Sequence, residues 1–156
     1  KNQTVDPKSI KQLKKIISST KLPFIIKGIM SPEDAEHALE AGASILYVSN
    51  HGGRVLDYMP STVEVLARIR EKVGKKAKIM IDGGFREGID IFKGIALGAD
   101  YIAIGRPAAI AAVGGGSKGI ELQCAQWKEE LSQIMLLTAS GSIKEINKKK
   151  VYCPKE

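Results

Sequence analysis

Cysteine is scarce: Cys124 and Cys153 are the two in a chain of 156 residues. Their positions give no metal-ligand spacing and no disulfide framework, so no metal is expected and a reducing compartment, the cytoplasm, is the default. No apolar run approaches the roughly 20 residues needed to span a bilayer, and no membrane partner is expected. No apolar stretch follows the opening Lys1-Asn2-Gln3-Thr4, so a secretory signal is not expected either. An initiator methionine is also missing, which suggests that Lys1 follows a processing event or an internal cut. Aromatic residues make up 5% of the chain, and almost none interleave with its lysines. The net charge of +7 is therefore a poor argument for nucleic acid, because the lysines gather near the two ends, around Lys11 to Lys15 and Lys148 to Lys150.

What is present suits one ordinary domain with a core: 44% of residues are hydrophobic and 26% charged. One unit recurs, made of a short apolar run, a glycine-rich or polar loop, and an amphipathic helix. Asp6-Pro7 is a good helix start, with Ile10, Leu13 and Ile17 on one face. Leu22 to Ile26 reads as a strand. Ser31-Pro32-Glu33-Asp34 opens a helix that Gly42 closes. Ile45 to Val48 is the second strand, and Ser61 to Glu64 is a capping box for a helix ending at Gly74. Lys78 to Ile81 is the third strand, followed by a helix from Gly88 to Leu97, closed by Gly98. Tyr101 to Ile104 is the fourth strand. A longer helix spans about Lys118 to Leu137, and a short one begins near Ser142.

Strands and helices alternating at this spacing argue for an α/β fold with a parallel sheet and right-handed crossovers. The continuous apolar runs suggest strands covered on both faces. An open doubly wound sheet and part of a (β/α)8 TIM barrel both fit that pattern. The polar residues favour the barrel. Lys27, Ser49-Asn50-His51, Asp82 and Gly105-Arg106 each follow the end of a strand, and four successive strands offering groups at one end is how a barrel builds a site. A complete barrel needs about 250 residues. The expectation is thus one region, residues 1–156, forming about four βα units, or half a barrel. A missing half or another copy of the chain would cover its exposed edges and interior.

Four constellations carry chemistry. Ser49-Asn50-His51-Gly52-Gly53-Arg54 places at a strand mouth a histidine able to act as a general base near neutral pH. Its glycines permit close approach to a flat ligand, and its arginine can pair bidentately with a carboxylate. Asp82-Gly83-Gly84-Phe85-Arg86-Glu87-Gly88 joins a strand to a helix amino terminus, where free backbone N–H groups and Arg86 would form an anion site. Gly105-Arg106-Pro107 follows the last strand. In the second half of a barrel these two loops follow strands seven and eight, a frequent phosphate site. Lys27 admits two readings: an ammonium facing a group that gains negative charge, or one reaching out to water. Elsewhere the plain reading holds. His37 is solvated on its helix, Trp127 packs the last helix on a neighbour, Met30 and Met59 fill gaps, Cys124 is inert, and Asp57 either holds the His51 loop or caps nothing.

Lys27-Gly28, Ser49 to Arg54, Asp82 to Arg86 and Gly105-Arg106-Pro107 together resemble, in order and spacing, the FMN-dependent α-hydroxy-acid dehydrogenase and oxidase family, which includes glycolate oxidase and lactate oxidase. The resemblance runs from about Leu22 to Ile146. It implies the carboxyl-terminal half of a (β/α)8 barrel with FMN at its mouth. It also implies that His51 removes a substrate proton and Arg54 binds the substrate carboxylate. Lys27 would lie beside the flavin N1/O2 edge, where it favours the negative charge gained there, and Ser49 would touch the flavin. Asp82, Gly83, Gly84, Arg86, Gly105 and Arg106 would hold the ribityl phosphate end. Two positions depart from the family: Glu87 stands where a second arginine is frequent, and Phe85 where valine is common. In this family the amino-terminal half supplies further active-site groups absent from this chain, so the isolated chain is expected to have little turnover.

The resulting expectation is FMN-dependent oxidation of a small 2-hydroxy acid, lactate- or glycolate-like, to the 2-oxo acid, in a homo-oligomer that family resemblance makes a tetramer. Two rivals stand beside it. One is a related flavin barrel such as type 2 isopentenyl diphosphate isomerase, which Arg54 beside His51 disfavours because that pair suits a carboxylate. The other is a non-catalytic phosphate-binding half-barrel that keeps the fold and has lost the reaction.

Overall fold

A computed structural model describes residues 6–153; the polar opening at Lys1 lies outside them. The chain alternates helix and strand: α1 (Ile10–Ser18), β1 (Ile25–Ile29), α2 (Pro32–Ala41), β2 (Ile45–Val48), α3 (Thr62–Val73), β3 (Lys78–Ile81), α4 (Gly88–Ala96), β4 (Tyr101–Ile102) and α5 (Arg106–Leu137). Single 3-10 turns follow at Ile143–Glu145 and Lys148–Lys150. The four strands form one parallel sheet in the order β1-β2-β3-β4, each neighbour reached through a crossover helix. This is the unit from which a (β/α)8 barrel is built.

Local chemistry sets most boundaries. Ser31 accepts from the Asp34 N–H and Pro32 opens α2, while Gly42, at φ 101°, closes it in a left-handed conformation that glycine takes without strain. Ser61 and Glu64 form the expected capping box of α3. Four boundaries differ from the sequence reading, one being β4, which ends at Ile102 instead of Ile104. α1 begins at Ile10, three residues beyond Pro7, because Ser9 and Gln12 satisfy each other's backbone donors there. β1 runs to Ile29, carrying Lys27 and Gly28 inside the strand. Gly28, at φ 98°, forms a bulge that lets pairing with β2 resume at Ile29. α5 begins at Arg106 instead of Lys118, and only Gly116 is non-helical (φ 56°, ψ −143°), so it consists of two helical segments joined at a glycine hinge.

The core lies on one face of the sheet. Leu46, Val48, Ile79 and Ile81 meet Ala35 and Ala38 of α2 and Val65, Leu66, Ile69 and Val73 of α3. A second cluster of Phe92, Ala96 and Ile146 joins α4 to Leu131, Ile134 and Met135 of α5. The opposite face is open, as expected for a half-barrel whose interior a missing half or another copy would cover. Burial alternates along the strands, and Ile25 and Tyr101, on the two edge strands, are 43% and 47% exposed. No other element among the described residues packs on that face.

The amino ends of the strands are fastened by charge. Arg70 of α3 donates to the Gly98, Gly74 and Ala77 carbonyls at 2.7, 2.6 and 3.3 Å and pairs with Asp100. Asp100 also accepts from Lys78 Nζ at 2.8 Å and the Ile79 N–H at 2.9 Å. Burial acts to raise the Asp100 pKa, but these bonds outweigh it and hold the carboxyl below its usual range.

Candidate active site

All four strands release the chain at the same end of the sheet. There lies a cavity of about 800 Å³ lined by Lys27, His51, Arg54, Asp82, Gly83, Gly84, Arg86, Gly105 and Arg106, with Glu87, Gln123 and Gln126 on the same wall. Of the ten residues singled out from the sequence, nine line this one cavity. The exception is Ser49, 1% exposed, which lies beneath the wall. Its hydroxyl accepts from Lys27 Nζ at 2.6 Å and from the His51 N–H at 3.2 Å. Ser49 thus braces two site residues instead of facing the cavity, buried immediately past the carboxyl end of β2.

His51 sits in a 3-10 turn, His51–Gly53, at the carboxyl end of β2. Its φ is 56°, and Gly52 and Gly53 follow at 69° and 72°. Positive φ is uncommon outside glycine, and histidine is among the residues that tolerate it. Asn50 holds the turn by accepting from the Gly52 N–H at 3.1 Å. The imidazole lies over Gly28, where any Cβ would stand 3.0 Å from His51 Cε1. The bulge in β1 therefore makes the space that the ring occupies. Arg54 is exposed, its Nε donating to the His51 carbonyl at 3.2 Å, which leaves the rest of the guanidinium facing the cavity.

Lys27 is exposed at the cavity mouth, yet its ammonium is held by neighbours. Its ammonium lies 3.3 Å from Asp82 Oδ2 and 4.8 Å from the centre of the Tyr47 ring, in addition to its bond to Ser49. Tyr47 is its register partner on β2. Burial first, and the Asp82 carboxylate second, push the Tyr47 phenol up to about 12, so it stays neutral at ordinary pH. Tyr47 was not picked out from the sequence; the alternation of β2 and its pairing with β1 were the available signal. The other Asp82 oxygen, Oδ1, is buried without a hydrogen-bond partner among the described residues. Such an orphan acceptor beside a cavity suits a ligand that bears hydroxyls.

The Gly83–Gly84 turn, at φ 95° and 89°, is held from α3, where buried Thr62 donates to the Asp82 carbonyl at 2.6 Å. The anion site expected at the amino terminus of α4 takes a different form. The Arg86 and Glu87 N–H groups there donate to Asp90 Oδ2 at 2.9 and 3.1 Å, and the Gly88 N–H donates to Glu130 Oε2 at 2.6 Å. The chain's own carboxylates occupy those donors. Backbone donors for an anion are left at the Gly83–Gly84 turn and at the start of α5, where Gly105 is the N-cap and the first N–H groups have no intrahelical acceptor. The Arg86 and Arg106 side chains flank both. A phosphate at the end of a polyhydroxyl chain fits this set of donors, cations and orphan acceptor.

Phe85 is 4% exposed, and its ring fits because α4 presents Gly94, where a Cβ would come within 2.8 Å of Phe85 Cε1. Trp127 lies on α5 as expected and also donates from its indole N–H to the Arg86 carbonyl at 2.7 Å. His37 and Cys124 are exposed, and Met30 packs on the core.

A family model for FMN-dependent dehydrogenases matches residues 1–153. A 2-hydroxyacid oxidase of Dictyostelium discoideum is 45% identical over 135 residues, which is 86% of this chain and 35% of that protein. An L-lactate oxidase of Lentilactobacillus hilgardii is 42% identical over 137 residues, 88% of this chain and 37% of the other. A crystallised Pediococcus acidilactici protein described as a lactate oxidase superposes with a TM-score of 0.90 at 39% identity, covering 94% of this chain and 41% of that one. The chain therefore spans little more than a third of the length of the curated relatives it matches.

Proposed function

The chain belongs to the FMN-dependent dehydrogenase family, and from that premise we propose that it forms the part of a complete (β/α)8 barrel where a small 2-hydroxy acid, lactate- or glycolate-like, is oxidised to the 2-oxo acid. The observation that carries this reading is the single cavity shared by an imidazole, a guanidinium, an ammonium and two glycine turns drawn from four successive strands and the loops that follow them. In it, the His51 imidazole takes a proton from the substrate. Arg54 binds the substrate carboxylate through the guanidinium nitrogens its backbone contact leaves free. Lys27, fixed by Ser49 and Asp82, supplies the positive charge that offsets negative charge developing deeper in the cavity. FMN, when bound, would supply the electron acceptor. Arg86, Arg106, Gly83, Gly84 and Gly105 hold its phosphate, and Asp82 accepts from its hydroxyl-bearing chain.

The open sheet face and the free edges of β1 and β4 support a requirement for the rest of a barrel, supplied by an amino-terminal half or a second copy. We extend the proposal to a homo-oligomer, a tetramer by family resemblance, and to the cytoplasm on the strength of two unpaired cysteines. A peroxisomal (S)-2-hydroxyacid oxidase of Arabidopsis thaliana, 38% identical over 148 residues, makes the compartment worth testing by localisation of a tagged chain. No helix among the described residues is long and apolar enough to cross a membrane.

The catalytic assignment is tested by co-expressing the chain with the amino-terminal portion of a family member and following bleaching of the flavin by lactate or glycolate. His51→Gln should slow bleaching by roughly 10²- to 10⁴-fold, the usual worth of a positioned base. Undiminished flavin reduction would refute the role.

A further inference from the structure

The amino terminus of α4 and the loop before it are gripped by one face of α5. Trp127 Nε1 donates to the Arg86 carbonyl at 2.7 Å. One turn on, Glu130 Oε2 accepts from the Gly88 N–H at 2.6 Å, and Glu130 Oε1 is itself fixed by Gln126 Nε2 at 2.8 Å. The two backbones are in near contact, since a Cβ on Gly88 would fall 2.6 Å from the Leu131 nitrogen. Arg86 and Gln126 line the cavity, whereas Trp127 does not. The indole therefore engages the Arg86 backbone from outside the cavity.

We propose that Trp127 is a positioning residue for anion binding: its N–H draws the Arg86 carbonyl toward α5 and away from the phosphate end of the cavity, and so sets where the Arg86 guanidinium stands. The physical reason is electrostatic. A carbonyl oxygen turned toward a bound phosphate would oppose it, and Gly83 and Gly84 just before, both at positive φ, have no side chain to limit how the backbone enters this turn. The N–H groups of Arg86 and Glu87 are committed to Asp90, and Trp127 is the only group among the described residues that binds the Arg86 carbonyl. The inference rests on the phosphate-site reading above.

The chain contains one tryptophan, which makes the test direct. Trp127→Phe keeps a ring and removes only the donor. Binding of FMN and of riboflavin, which lacks the phosphate, is measured by quenching of flavin fluorescence. The variant should bind FMN about three- to tenfold more weakly, the usual worth of one hydrogen bond, with riboflavin affinity unchanged within about twofold. Equal weakening of both ligands, or of neither, would overturn the proposal, because a merely structural role does not distinguish them. If the unaltered chain binds FMN no tighter than riboflavin, the phosphate site itself is wrong and this inference fails with it. Should the variant not fold, the unaltered chain's single indole N–H resonance gives the same answer: FMN should shift it and riboflavin should not. No shift with FMN would overturn the assignment.

Discussion

Replacing Asp100 with asparagine should loosen the amino end of the sheet without touching the cavity at the other end. Asp100 carries three bonds: to Arg70, to Lys78 Nζ at 2.8 Å and to the Ile79 N–H at 2.9 Å. Hydrogen bonds to a charged partner contribute roughly 1.5–3 kcal/mol each. Asparagine keeps one acceptor, which can serve Ile79, and Arg70 keeps three backbone carbonyls, so no donor is stranded. Lys78 is exposed and adds little. The net loss is therefore that of about one charged bond, ~2 kcal/mol, or about 4–8 °C in Tm for a domain of this size. The pH dependence sharpens the test. A carboxyl held below its ordinary pKa contributes stability above that value and loses it as pH falls through the folded-state pKa. The gap between wild type and Asp100→Asn should therefore be full at pH 7 and shrink progressively below about pH 4. Urea unfolding at a series of pH values measures it. A gap of the same size throughout the acid range, or none at pH 7, would show that the charge is not what holds this corner.

Three further outcomes follow from the same geometry. Thr62→Val removes the donor on the Asp82 carbonyl and should cost about 1–3 kcal/mol in urea unfolding; it should also weaken FMN binding, and normal affinity would show that the Gly83 turn needs no support from α3. Gly88→Ala puts a Cβ 2.4 Å from Glu130 Cβ and should lower stability by about 1–3 kcal/mol as α4 and α5 part; a midpoint equal to wild type would mean that the helices are not in contact as described. Glu87→Gln removes an exposed negative charge from the cavity wall and should tighten FMN binding about two- to fivefold at low salt, with the gain fading at high ionic strength. A gain that persists in salt would point to a cause other than charge.

The sequence by itself determined the succession of four strands and their crossover helices. Capping chemistry at Ser31-Pro32 and Ser61–Glu64 and closure at Gly42 and Gly74 are local, as is the polar punctuation at each strand end that separates a barrel arrangement from an open sheet. Eight of the nine cavity-lining residues picked from the sequence were legible for the same reason: a residue that follows a parallel strand has only the sheet's carboxyl rim on which to stand, whereas Lys27 lies within β1. Tertiary structure decided what depends on a distant partner. Lys27 could have reached freely into water, and Asp82 and Ser49 instead fix its ammonium at the cavity wall. Ser49 is a brace because, buried just past β2, its hydroxyl meets Lys27 of the neighbouring strand and the His51 N–H. The donors at the start of α4 looked free until Glu130, 42 residues away, took one of them. The long reach of α5 and its contact with Arg86 were hidden because a glycine run such as Gly114 to Gly116 reads locally as a break, whereas packing of the helix decides where it bends.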